Sequence, residues 1–250
     1  MTKIIEEDVD NQFVKIVNHY RDNPGKKVRA KLLFQTAAKV ARVNGGLPNE
    51  AEQRLKTAAS AIEMMHTASI IHDDVLDEND ARRGIESLNK VHGEKIALVA
   101  GDVLFARSLS IISKINDGYA VSQCLKCLRV MTEGQMKESV WGQLGYIPES
   151  HEMLEVLKMK TGTLFGLALR LGGYFASPAS VIPELFSTEF AEELDEYAEQ
   201  GENFGIAYQL RDDIEDIEED KANGVLTVPQ VLGIEKTKIL ADKYQELSYL

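Results

Sequence analysis

The stretch SIIHDDVLDENDARRG sets Asp73, Asp74, Asp77, Glu78 and Asp80 directly behind an apolar run and closes on Arg82, Arg83 and Gly84. On a helix, Asp73 and Asp77 share a face about one turn apart, with Asp74 beside them. Like charges at that spacing destabilise a helix by about 0.2–0.5 kcal/mol. A hard cation between the carboxylates reverses the sign, and Mg²⁺ usually takes one or two carboxylates together with substrate phosphates. The plainer alternative is a solvated acidic helix end. A second stretch, YQLRDDIEDIEED, repeats the spacing at Asp212, Asp213 and Asp216 behind Phe204, Ile206, Ala207 and Leu210. Acid at a helix C-terminus opposes the macrodipole, so the chain makes the same unfavourable choice twice. Two facing carboxylate sets can clamp a diphosphate through bridging metal ions, the arrangement used for metal-assisted displacement. Neither stretch is an EF-hand loop, which needs glycine at its sixth position and glutamate at its twelfth.

A diphosphate site also needs cations. Arg82 and Arg83 follow the first cluster. The segment PGKKVRAKL offers Lys26, Lys27 and Arg29 at a helix start, where backbone N–H groups favour an anion. Lys160 stands in KTG, a polar interruption of an apolar period. Taken singly, each is an ordinary surface cation; their conjunction with the acid clusters carries the weight.

Helices must position these groups. Apolar residues recur at three and four over Val28–Val43, Glu50–Asp77, Lys95–Ile115, Ala120–Gln135 and Glu189–Ile217. The six prolines fall between these periods or at their starts, and NGGLPNE, NDG and SPASVIPE are further breaks. The expectation is an all-α fold: one large helical bundle, residues 1–250 as a single domain. The chain has 250 residues with 44% hydrophobic and 27% charged residues, and its net charge of −12 disfavours a nucleic-acid partner. Between Glu189 and Asp220 stand 14 acidic residues and one basic residue, Arg211. Cys124 and Cys127 are one CxxC without a second pair, so both read as reduced thiols rather than zinc ligands. The N-terminus lacks the basic and apolar regions of a signal peptide, and no apolar run is read as approaching the roughly 20 residues of a membrane span. A cytoplasmic protein without a transmembrane segment is expected.

With these motifs in order, the sequence resembles the trans-isoprenyl diphosphate synthases, the polyprenyl synthetase family. GKKVR, EMMHTASIIHDDVLDENDARRG, Gly101–Asp102, the EGQ of Glu133–Gln135, KTG, YQLRDD and NGVLTVP match the family's elements from about Pro24 to Pro229. The resemblance implies an isoprenoid-synthase bundle around a deep central cavity, usually a homodimer. It implies head-to-tail condensation of isopentenyl diphosphate with an allylic diphosphate, using three Mg²⁺ ions. Asp73, Asp77 and Asp212 would be metal ligands, with Asp74 in support, Asp216 acting through water and Asp213 among the catalytic residues. Arg82 and Lys160 would hold the allylic diphosphate. Lys26, Arg29, His66 and Arg83 would hold isopentenyl diphosphate, and Thr161 and Gln209 would face the developing cation.

Two departures stand out. The loop after the second motif is about ten residues shorter than the family's, and Val225 replaces a lysine, leaving Lys221 as the nearby lysine. The chain is also C-terminally short relative to the family. In the family, the helix before the first motif floors the growing product. Ala68 and Ser69, five and four positions before Asp73, are small, which points to a product longer than farnesyl; close helix packing is the other explanation for small residues there. Two alternatives remain open: a class I terpene cyclase, and a partner-dependent or inactive subunit of a heteromeric synthase.

Overall fold

Eleven α-helices from Val28 onward carry out the three-and-four periodicity among the described residues. They are α1 (Val28–Asn44), α2 (Ala51–Leu76), α3 (Leu88–His92), α4 (Glu94–Ser113), α5 (Gly118–Leu144), α6 (Ser150–Leu157), α7 (Thr163–Ala176), α8 (Thr188–Glu215), α9 (Ile217–Ala222), α10 (Val228–Leu232) and α11 (Ile234–Ser248). A two-stranded hairpin, β1 (Ala81–Arg82) with β2 (Ile85–Glu86), follows α2, and a π-helical turn, Lys158–Gly162, joins α6 to α7. The computed structural model describes residues 11, 14–20, 25–82, 84–222 and 224–249, with the side chain of Glu219 excepted. Pro24, Arg83 and the leading segment Met1–Asp10 lie outside the described residues.

Local chemistry ends and starts the helices. Gly45, at φ 77°, closes α1 and gives its N–H to Ala41 O. Asp117 caps α5 by accepting from Ala120 N at 2.9 Å, and Ser187 caps α8 by accepting from Phe190 N. The principal core joins α1, α2, α5 and α7 through Leu33, Ile62, Met65, Met131, Leu164, Leu171 and Phe175. Fully burying one such side chain is worth about 1.5–3 kcal/mol.

Helix α8 meets the π turn and the start of α7 through glycines spaced four apart, Gly201 and Gly205 against Gly162 and Gly166. A Cβ at Gly201 would lie 2.6 Å from Phe165 O, and one at Gly205 would lie 2.8 Å from Gly162 Cα. Nothing larger than hydrogen fits there, and the close approach sets the π turn beside the last turns of α8. The sequence pattern ends a helix at Gln135, but α5 continues to Leu144. Gly134 explains the continuation: a Cβ there would sit 2.7 Å from Met159 Cβ, so α5 runs tightly past the π turn.

Helix α4 corrects the expectation about apolar runs. It has 20 residues, and an 18-residue window of it reaches a mean hydropathy of 1.7, long and apolar enough to cross a membrane by length and composition alone. In this fold it packs along α2 through Ala97, Ala100 and Leu104.

Candidate active site

Both aspartate motifs end a helix in the same way. Asp77 caps α2, its N–H donating to Asp73 O at 2.8 Å. Asp216 caps α8, its N–H donating to Asp212 O at 2.9 Å. In each motif the second aspartate turns inward: Asp74 is fully buried and Asp213 nearly so.

The two buried aspartates have different partners. Asp74 accepts from the Tyr20 hydroxyl at 2.8 Å on Oδ2 and from Arg82 Nε at 2.6 Å on Oδ1. The β1–β2 hairpin, with Arg82 opposite Ile85, holds that arginine in place. Asp213 accepts one amide hydrogen, from Gln209 Nε2 at 2.9 Å, and Gln209 Oε1 in turn accepts from the Thr161 hydroxyl at 3.4 Å. Burial pushes the Asp213 carboxyl up to about 7, against the Gln209 hydrogen bond and helped by Asp220 and Asp212.

The outer aspartates are also held away from their ordinary state. Burial raises Asp73 to about 6; Lys160 opposes the rise and Asp77 adds to it. Asp77 moves in the same direction, again chiefly through burial. Asp212 is raised to about 6 by burial, opposed by Lys26 and added to by Glu215 and Asp216. These carboxylates are costly to ionise in the protein alone, and a cation among them relieves that cost.

Lys160 acts on the first motif. The π turn that carries it widens the helix by one residue, a feature common at functional sites. Its ammonium contacts Glu138 Oε2 directly. Burial by itself would lower its pKa, but Glu138, Asp73 and Asp77 overcome this and hold it above the ordinary lysine value. Glu138 also acts electrostatically on Asp213, so it links the two motifs. From the other side, Lys26 and Arg29 at the start of α1 act on Asp212. The Arg29 guanidinium lies over the Phe165 ring, 4.1 Å from its centroid.

One backbone N–H at the start of α1 is already engaged. Glu63 Oε1 already accepts from Ala30 N at 3.0 Å, so the protein supplies its own carboxylate there. His66 is half-buried on α2, two turns before Asp73. Ala68 and Ser69 part company: Ala68 is buried against α4 with Ala97, Ala100 and Leu104, while Ser69 stays half-exposed on the Asp73 face. Further from the aspartates the interior is occupied by Met65, Met131, Leu164 and Ala168, each at most 5% exposed. An open groove of about 810 Å³ lies instead beyond the second motif, at Ile217, Lys221, Pro229 and Ile234. Lys221 reaches Glu218 at 3.1 Å.

Among the described residues no three carboxylate, imidazole or thiolate groups converge tightly enough to hold one metal ion by themselves. That fits a hard ion such as Mg²⁺, which fills its octahedron with water and phosphate oxygens more than with protein. Asp73 and Asp212 are half-buried and Asp77 and Asp216 exposed, so each motif presents carboxylate oxygens outside the core.

The pattern matched by the polyprenyl synthetase model runs over residues 10–225 of this chain. The chain belongs to the polyprenyl synthetase family. It is 32% identical over 217 residues to a geranylfarnesyl diphosphate synthase of Aeropyrum pernix, covering 84% of this chain and 60% of that protein. It is 29% identical over 215 residues to a short chain isoprenyl diphosphate synthase of Methanocaldococcus jannaschii, covering 84% and 59%. The chain thus spans about 60% of the length of these curated relatives. Among solved structures, a geranyltranstransferase of Thermotoga maritima superimposes with a TM-score of 0.79 at 26% identity, over 99% of this chain and 88% of the other. A polyprenyl synthase of Caulobacter crescentus, solved with calcium and isoprenyl diphosphate, shares the fold at 24% identity and a TM-score of 0.73, over 94% and 74%.

Four features of the site in this chain have no motif signal in the sequence as read above. Tyr20, 54 residues before its partner Asp74, is one. The others are the Glu63 cap on α1, the π turn and Glu138. Glu138 stands three residues after Gln135, and its amphipathic position on a continued α5 was the available clue.

Proposed function

We propose that this chain is a prenyltransferase that condenses isopentenyl diphosphate head-to-tail with an allylic diphosphate. The observation that carries the proposal is the pair of D-D-x-x-D helix ends linked through Lys160 and Glu138. Asp73 and Asp77 on one side and Asp212 on the other are the proposed ligands of magnesium, three ions in all, with Asp216 acting through water. Bound metal would supply positive charge to the leaving diphosphate as the C–O bond ionises. Lys160 and the exposed part of Arg82 hold the diphosphate of the allylic substrate. Lys26, Arg29 and His66 hold isopentenyl diphosphate close to the cation, where proximity favours attack. Arg83 has the same proposed role, from outside the described residues. Thr161 and Gln209, fixed to each other and to Asp213, face the allylic carbon.

We place the product-length determinant at Ser69 rather than Ala68, because Ser69 shares the face of Asp73. The small side chain at Ser69 is what favours a product longer than farnesyl; Met65, one turn or about 5.4 Å further on, is enclosed in the core. The protein is proposed to act as a homodimer. Exposed Ile96 and Val99 on α4 and Met136, Val140 and Leu144 on the adjoining α5 form an apolar face suited to a second copy.

A second reading, a subunit that needs a partner chain, is favoured by Val225 in place of a lysine and by the engagement of Lys221 with Glu218. Incubation with Mg²⁺, isopentenyl diphosphate and dimethylallyl, geranyl, farnesyl or geranylgeranyl diphosphate, read by mass spectrometry, separates the readings. Elongated diphosphates are the expected result. Product formed without isopentenyl diphosphate would indicate a terpene cyclase, and no turnover by folded protein would indicate the subunit.

A further inference from the structure

We infer that Glu138 serves as a stand-in anion for Lys160, occupying the position a diphosphate would take and making diphosphate capture depend on a divalent cation. The inference rests on the prenyltransferase reading of the same site. Lys160 is enclosed, with 23% of its side chain exposed, and its ammonium contacts Glu138 Oε2. Glu138 is 44% exposed and has room to swing away. The backbones beneath them have no such freedom, because Gly134 passes the π turn at the distance only a glycine allows. Gln135, one turn back, already sends Nε2 toward the same Glu138 oxygen at 3.4 Å and stands ready to receive the carboxylate when it leaves Lys160.

The charges explain the consequence. Glu138 adds its negative charge to Asp73, Asp77 and Asp213. A bare diphosphate therefore meets four carboxylates and a lysine that is already paired. A diphosphate that arrives with divalent cations meets attraction at the aspartates, and Lys160 can exchange Glu138 for a phosphate oxygen. Glu138 is a positioning residue in this scheme: it touches Lys160 and no reacting atom.

Calorimetric titration with inorganic pyrophosphate tests the inference on the full chain, in EDTA and in Mg²⁺. In EDTA, Glu138→Gln should bind about fivefold more tightly than the unsubstituted protein, the fold-change that releasing one partly exposed ion pair would give. The gain should disappear when Lys160→Ala is also present, and in Mg²⁺ the difference should fall below about twofold. Glu138→Asp, which keeps the charge, should retain the original metal requirement, and it carries the test if the glutamine variant melts early. Equal, weaker or absent binding by Glu138→Gln in EDTA overturns the inference, as does an equal gain in the Lys160→Ala background. If the unsubstituted protein binds pyrophosphate in Mg²⁺ and the EDTA gain is missing, only this inference falls. If it fails to bind pyrophosphate even with Mg²⁺, the prenyltransferase reading falls as well.

Discussion

The two D-D-x-x-D motifs share their spacing, cap their helices with the same hydrogen bond, and differ in the partners of the inner aspartate. Asp74 has a cation and a hydroxyl, one on each oxygen. Asp213 has a single amide, and its carboxyl is pushed up to about 7. The first motif is finished by the protein itself: Arg82 and Tyr20 neutralise and fix its inner carboxylate, leaving Asp73 and Asp77 presented on a rigid helix end. Among the described residues the inner carboxylate of the second motif is met by the Gln209 amide and by no cation, so it is less neutralised than Asp74. Equal spacing therefore does not mean equal preparation, and the difference lies in partners 8 and 54 residues away from Asp74.

The largest expected effect treats the motifs as equals. Asp73→Asn or Asp212→Asn should each lower kcat for prenyl elongation by about 10³-fold while the far-ultraviolet circular dichroism stays unchanged, because each removes charge aimed at the leaving group. A variant of either motif that keeps normal turnover would break the pairing.

The next prediction sharpens the contrast. Asp74→Asn leaves Arg82 Nε facing a neutral, partly mismatched amide and should destabilise the fold by about 2 kcal/mol, read from the urea midpoint. Asp213→Asn should do the opposite in metal-free protein at pH 8. Its folded pKa lies above the ordinary aspartate value of 3.8, so the fold binds the proton more tightly than the unfolded chain does. Stability from this group is present below pH 4 and is lost as the pH rises through 7. Removing the charge should raise Tm by about 3 °C at pH 8, and the gain should vanish by pH 4. A loss of stability at pH 8 would mean that Asp213 is as well satisfied as Asp74.

The smallest effect lies along α2, below the first motif. Ser69→Phe should shorten the main product by one isoprene unit, measured by mass spectrometry with little change in stability. Ala68→Phe should chiefly destabilise the protein, since that site is filled by α4, and overpacking costs about 1–3 kcal/mol. An unchanged product from a folded Ser69→Phe variant would remove Ser69 from the elongation path.

Much of this was legible in the sequence, for local reasons. Helix α2 was expected over Glu50–Asp77 and is found over Ala51–Leu76; α8 was expected over Glu189–Ile217 and is found over Thr188–Glu215. Periodicity and motif spacing are properties of one segment, and Asp73, Asp77, Lys160 and Asp212 were visible for that reason. The unseen parts are contacts between segments. Nothing near Glu63 announces that it will cap α1, and nothing near Tyr20 points to Asp74. Ala68 and Ser69 looked alike as small neighbours, yet a 100° step around the helix sends one into α4 and leaves the other on the Asp73 face. Helix α5 runs past its apolar period, which ends at Gln135, and Gly134 near that end is a place of close packing against the π turn.

The most direct test of the central claim, that the two motifs together hold a metal-bound diphosphate, is the affinity for inorganic pyrophosphate as a function of Mg²⁺ in the unsubstituted protein, Asp73→Asn and Asp212→Asn. The account predicts binding that strengthens with Mg²⁺ in the unsubstituted protein and loses that dependence in both variants. Retention of the full Mg²⁺ dependence by either variant would contradict it.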